Sequence, residues 1–222
     1  MPADALDDFR KALEINPQST LALNERGVMF LNLKKFEAAK LDFKRALELD
    51  PELIATYINM VNTVLLLQDE DAALEYLAKA IRVKPQSFEP YFVRANIYFE
   101  SKRFDEAILD YRRALELNPK LLAAHFNRGI SLYKKERYAE ALPHFEQAVQ
   151  LTKKWSLFYC WRGLTYYALE NYNQAWVDYA AAMKNDNDTE GLCYESFVGH
   201  NSQKKSSDFS DVHSQIIELL RK

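Results

Sequence analysis

Glycine, histidine and cysteine are scarce in this chain of 222 residues, which holds five, four and two of them. Gly27, Gly129, Gly163, Gly191 and Gly199 are too scattered to form a phosphate-cradling loop, and read as helix-packing or tail positions. Cys160 and Cys193 supply neither a metal-ligand spacing nor a disulfide framework, and read as two free thiols suited to a reducing compartment. His125, His144, His200 and His213 give no metal-ligand spacing either, and His125 reads as a packing residue. Cys160 has no His or Asp at a catalytic spacing, so no enzyme, cofactor or metal is expected. No run approaches the ~18 apolar residues of a membrane span, and a basic-then-apolar leader is lacking at the start. The expected location is therefore cytoplasmic, with no membrane partner. A net charge of −3 lacks the Lys and Arg excess that phosphate neutralisation needs, which excludes nucleic acid as the expected partner.

What the chain does have is a period. Ala12, Ala46, Ala80, Ala114, Ala148 and Ala182 recur in steps of 34 residues. Ala5, Ala39, Ala73, Ala107, Ala141 and Ala175 keep the same step seven positions earlier. Self-similarity at one period signals units that bury their apolar faces against neighbours. Pro17, Pro51, Pro85 and Pro119 close successive units, and Lys153 holds the next such position. This spacing predicts full units at 20–53, 54–87, 88–121, 122–155 and 156–189, with residues 1–19 as a half unit that has only its second helix. Each unit divides into two helical patterns separated by a polar break such as Leu33-Lys34-Lys35. An apolar share of 48% and a charged share of 27% suit one folded array.

Position within the unit assigns roles. Gly27, Val61, Ala95, Gly129 and Gly163 share one first-helix position opposite the second-helix alanine, where small side chains let the two helices approach. Phe30, Tyr98 and Tyr166 on first helices, with Phe9, Phe43, Tyr111, Phe145 and Tyr179 on second helices, are expected core. Arg26, Arg94 and Arg162 each precede an aspartate (Asp42, Asp110 and Asp178) by 16 residues, which predicts a partly exposed bridge of little energetic weight between paired helices. The second unit has Met60 and Tyr76 instead, and the fourth sets Arg128 opposite His144. Pro143 is expected to kink its helix mildly.

These positions resemble the tetratricopeptide repeat family. The third unit carries the pattern in Tyr91, Arg94, Ala95, Tyr98, Ala107, Tyr111, Ala114 and Pro119. The fourth carries it in His125, Arg128, Gly129, Ala141, Phe145 and Ala148. The resemblance covers residues 1–189 and departs most in the second unit, where Leu77 and Val61 replace the usual aromatic and small residue and weaken the expected packing. It implies an all-α fold, an α-α superhelix of five full repeats with an N-terminal half repeat and a C-terminal capping helix. First helices would line a concave groove holding Asn24, Asn59, Asn62, Asn96 and Asn127. An amide side chain offers both donor and acceptor, so it pairs with any extended peptide backbone. This ladder is similar to that in the repeat domain of O-linked N-acetylglucosamine transferase. Phe92, Phe126, Tyr133 and Trp161 at neighbouring groove positions are expected to receive apolar side chains. The carboxylate clamp of the family's chaperone adaptors is disfavoured, because Phe92, Leu157 and Trp161 stand where its cations belong.

The ends carry three further expectations. The half repeat exposes a stripe through Leu6, Phe9 and Leu13, suited to a longer array or to end-to-end self-association. A polar linker spans 190–208, and a helix over 209–222, with an N-cap at Ser210, closes the last repeat. The expected function is a non-catalytic scaffold that binds a protein or peptide in the groove. The alternative is a structural segment of a larger assembly.

Overall fold

The computed structural model describes residues 2–152 and 155–185. The linker and capping helix predicted beyond them lie outside the described residues. Among those described are eleven helices and no strand. The chain divides into two compact units, the first ending at Pro119 and the second starting at Lys120. The first holds α1 (Pro2–Ile15), α2 (Thr20–Asn32), α3 (Phe36–Leu49), α4 (Ile54–Leu66), α5 (Glu70–Val83), α6 (Glu89–Glu100) and α7 (Phe104–Leu117). The second holds α8 (Leu122–Lys134), α9 (Tyr138–Leu151), α10 (Ser156–Ala168) and α11 (Tyr172–Asn185). Helices α2, α4, α6, α8 and α10 are the first helices of their repeats.

Every first helix stops in the same way. Lys34, Gln68, Lys102, Glu136 and Glu170 adopt left-handed φ angles between 57° and 62°. The Lys35 N–H donates to the Phe30 carbonyl at 2.8 Å and the Lys34 N–H to that of Leu31 at 2.9 Å. The same pair of bonds closes the other four helices, ending at Asp69, Arg103, Arg137 and Asn171. This is the Schellman closure, which normally uses glycine at the left-handed position. Here charged or amide side chains accept the conformation.

Gly27 and Gly129 explain how closely the paired helices approach. A Cβ on Gly27 would lie 2.5 Å from the Phe43 ring, and one on Gly129 would lie 2.8 Å from that of Phe145. The small residue therefore sits under the second-helix aromatic ring. Phe43, Tyr111 and Phe145 are fully buried, as are the recurring alanines from Ala39 to Ala148. The first-helix aromatics differ from expectation: Phe30, Tyr98 and Tyr166 are only half-buried. The Arg26 guanidinium lies over Phe30 at 5.8 Å, that of Arg103 lies over Tyr98 at 4.4 Å, and the Tyr166 hydroxyl donates to Glu146 at 3.1 Å.

The second repeat is not loosened by its departures. Met60, Val61 and Leu77 are fully buried in one cluster with Phe43 and Val64. Leu77 is smaller than the aromatic it replaces, and Val61 uses the room that a ring would fill, so volume is conserved across the pair. The Arg–Asp bridges form as predicted. Each is bidentate, at 2.7 and 2.7 Å for Arg26–Asp42, 2.6 and 2.9 Å for Arg94–Asp110, and 2.7 and 2.5 Å for Arg162–Asp178. Their carboxylates are only 8%, 11% and 2% exposed. Their arginines stay 20–24% exposed, so the bridges are partly exposed joints with buried carboxylates.

Two smaller expectations also change. Leu6, Phe9 and Leu13 are half-buried because α1 packs on α2, so the predicted apolar stripe is partly covered. Cys160 is buried and disulfide-bonded, against the expectation of a free thiol. Helix α9 runs unbroken through Pro143, which sits on its exposed side.

Candidate functional site

In the first unit, the predicted site residues lie on α2, α4 and α6 and fall into two groups. Asn24 and Asn59 are joined: the Asn24 Oδ1 accepts from the Thr56 hydroxyl at 2.9 Å and from the Asn59 Nδ2 at 3.1 Å. The Asn24 Nδ2 donates to Glu25 at 3.0 Å. Asn24 therefore spends both ends of its amide within the protein and ties the first repeat to the second. Thr56 is fully buried at this joint, and the period alone did not single it out.

Asn62 and Asn96 form the other group. Both line one cavity of about 340 Å³, together with Leu65, Val93 and Ile97. Asn62 is exposed and Asn96 half-buried. The Tyr111 hydroxyl of α7 donates to the Asn96 Oδ1 at 2.7 Å, so a core aromatic fixes the orientation of this amide. Phe92, one turn earlier on α6, packs its ring 6.1 Å from that of Tyr111.

Two carboxylates also reach the cavity, Glu70 and Glu100. Glu70 was not anticipated, because it opens a second helix and enters across the turn. The Ser101 hydroxyl donates to its Oε2 at 2.8 Å. A spacing rule confined to first helices had no signal for it.

In the second unit the predicted residues form an aromatic set. Phe126 packs against Phe158 at 4.7 Å and against Phe145 at 6.0 Å. Trp161 stacks on Phe145 at 6.0 Å and meets Tyr133 edge-on at 5.4 Å. The Lys134 ammonium lies 5.8 Å over the Trp161 ring. Tyr133 is 5% exposed, and burial pushes its phenol up to about 12. It is thus a floor residue, while Trp161 and Phe126 stay partly exposed. Asn127 is half-buried, and its backbone carbonyl accepts from the Ser131 hydroxyl at 2.8 Å.

The same unit contains an unusual pair. The His125 and His144 Nδ1 atoms lie 3.1 Å apart, with His144 at the position that holds aspartate in three other repeats. Burial, then the neighbouring Arg128 and His125 charges, push the His144 imidazole down to about 3, against a smaller opposing pull from Glu140. At neutral pH it is an uncharged packing residue. Among the described residues, no group of three or more His, Cys, Asp or Glu is placed to hold a metal ion, and no helix is long and apolar enough to cross a membrane.

Profiles of the tetratricopeptide repeat match residues 20–53, 54–87 and 122–155, and a TPR repeat profile matches 95–135. No curated protein matches the chain. Among solved structures, YrrB, a TPR protein with an unusual peptide-binding site, is similar with a TM-score of 0.71 and 22% identity, over 85% of this chain and 96% of that one. MamA is similar with a TM-score of 0.68 and 20% identity, over 78% of this chain and 94% of that one. A MamA fragment from Desulfovibrio magneticus RS-1 gives 0.57 and 20%, over 68% of this chain and 85% of that one. At these identities the likeness is one of fold.

Proposed function

This chain belongs to the tetratricopeptide repeat family, and from that premise we propose that it is a non-catalytic scaffold that holds an extended or short helical peptide along its first helices. In the first unit Asn59, Asn62 and Asn96 orient a peptide backbone beside Phe92 as an apolar contact; the second unit by itself offers Asn127 for the backbone, with Phe126 and Trp161 as apolar contacts over a floor that includes Tyr133. The observation that carries this reading is the pairing of Asn62 and Asn96 at one cavity, with the Asn96 amide held by Tyr111. Pre-oriented groups lower the ordering cost of capturing a flexible segment. Asn24 supports the site from behind, through its bond from Asn59.

Arrayed synthetic peptides test this directly. Asn59→Ala/Asn62→Ala/Asn96→Ala should lose capture while unfolding free energy falls by no more than ~2–3 kcal/mol, the scale of two lost hydrogen bonds. Unchanged capture rejects the ladder. The rival reading, end-to-end assembly through α1, draws less support because Leu6, Phe9 and Leu13 are half-buried. A cytoplasmic location is the accompanying expectation, and the Cys160 disulfide is the feature to test it against, since such bonds are commonest in oxidising compartments. Alkylation under denaturing conditions after acid quenching of intact cells, with and without prior reduction, decides between the two: Cys160 labelled without reduction supports the cytoplasm, and Cys160 labelled only after reduction rejects it.

A further inference from the structure

The cavity between α4 and α6 has a composition that a backbone-binding role does not use. Leu65, Val93 and Ile97 line it with apolar surface, while Glu70 and Glu100 bring two carboxylates to it. Its volume of about 340 Å³ accommodates one long side chain with water around its head. We infer that this cavity selects a basic residue, Lys or Arg, in the bound peptide. The inference rests on the peptide-binding reading above.

The argument is one of matched halves. Lys and Arg carry an apolar stem and a charged head, and they lay the stem along apolar surface while the head stays wet. Here the stem would run over Leu65, Val93 and Ile97, and the head would reach Glu70 and Glu100. The Ser101 hydroxyl holds the Glu70 carboxylate at 2.8 Å, so one of the two acids is already positioned. The nearby Arg103 is engaged elsewhere. Arg103 donates to Glu106 at 3.0 Å and lies over the Tyr98 ring at 4.4 Å, although it feels the charge of Glu70. An acidic peptide side chain in this cavity would meet two like charges, and an aliphatic one would leave both carboxylates without a counter-charge.

The test uses the full chain and one capture-positive peptide from the array, resynthesised with Lys, norleucine or Glu at each position in turn. Fluorescence anisotropy should find one position where Lys binds best and Glu worst. At that position the Lys advantage should drop roughly fivefold to tenfold in Glu70→Gln/Glu100→Gln, as expected for two partly exposed charge pairs. The norleucine peptide should bind this variant and wild type alike. Raising the salt should erode the Lys advantage in wild type only. Glu100→Lys, a change on an exposed side chain, should turn the preference toward Glu. Peptides that bind with no charge preference at any position overturn the basic-residue assignment alone, as does a Lys preference that survives Glu70→Gln/Glu100→Gln. A chain that captures no arrayed peptide overturns the peptide-binding reading and this inference with it.

Discussion

Replacing His144 with aspartate should remove a pH sensitivity that is built into the fourth repeat. In three other repeats this position carries a buried aspartate that chelates the first-helix arginine. In the fourth, His144 faces His125 at 3.1 Å, with Arg128 and Glu140 as its charged neighbours. Its folded-state value of about 3 lies below the ordinary 6.5. The unfolded chain therefore takes up a proton below pH ~6.5 that the folded chain refuses. Stability is fully present above that value and declines as the pH falls toward about 3. The slope is ~1.4 kcal/mol per pH unit, so about 2 kcal/mol disappears between pH 7 and pH 5. His144→Asp replaces this group with a carboxylate that stays ionised across the window beside Arg128. Urea unfolding of both proteins at pH 7, 6 and 5 measures the difference, and the same series on a His125→Asn background removes the contribution of the facing histidine. The gap between variant and wild type should widen by about 2 kcal/mol on going from pH 7 to pH 5. A constant gap would refute the assignment of His144 as the group that resists protonation.

Three other outcomes follow from packing and backbone geometry. Gly27→Ala should cost ~1–3 kcal/mol through overpacking against Phe43, and adding Phe43→Leu should recover part of it, since Val61 and Leu77 already form such a pair; urea midpoints read both. Lys102→Gly should raise stability by about 1 kcal/mol rather than lower it, because residue 102 is held at a φ of 57°; a thermal melt shows the sign. Asp110→Ala should cost about 2–4 kcal/mol by stranding Arg94 in a joint that is mostly buried, whereas Arg94→Met/Asp110→Tyr, which copies Met60 and Tyr76, should cost much less; urea unfolding of the two variants beside wild type compares them.

The sequence revealed the fold because each repeat solves one packing problem with the same few residues. The alanine step located the helices, and the 16-residue interval located the three Arg–Asp bridges. Where two substitutions compensate each other, residue-by-residue reading failed. Val61 and Leu77 each looked like a defect, yet together they fill one space. The helix closures were hidden for another reason. Left-handed turns advertise themselves through glycine, and this chain forms them with Lys34, Gln68, Lys102, Glu136 and Glu170. The candidate site was legible only in part. Position placed Asn62 and Asn96 together, but not the bonds that engage Asn24 and Asn59 with one another. Glu70 was missed because it arrives from a second helix.

The central claim is that the Asn-bearing first helices take hold of a peptide. Its most direct test is an amide NMR titration of the full chain with a captured peptide, following the asparagine side-chain signals. The account predicts that the Asn62 and Asn96 side-chain amides shift together and saturate with the peptide, while that of an exposed asparagine on a second helix, Asn173, stays in place. Peptide capture that leaves the Asn62 and Asn96 signals unmoved would contradict it.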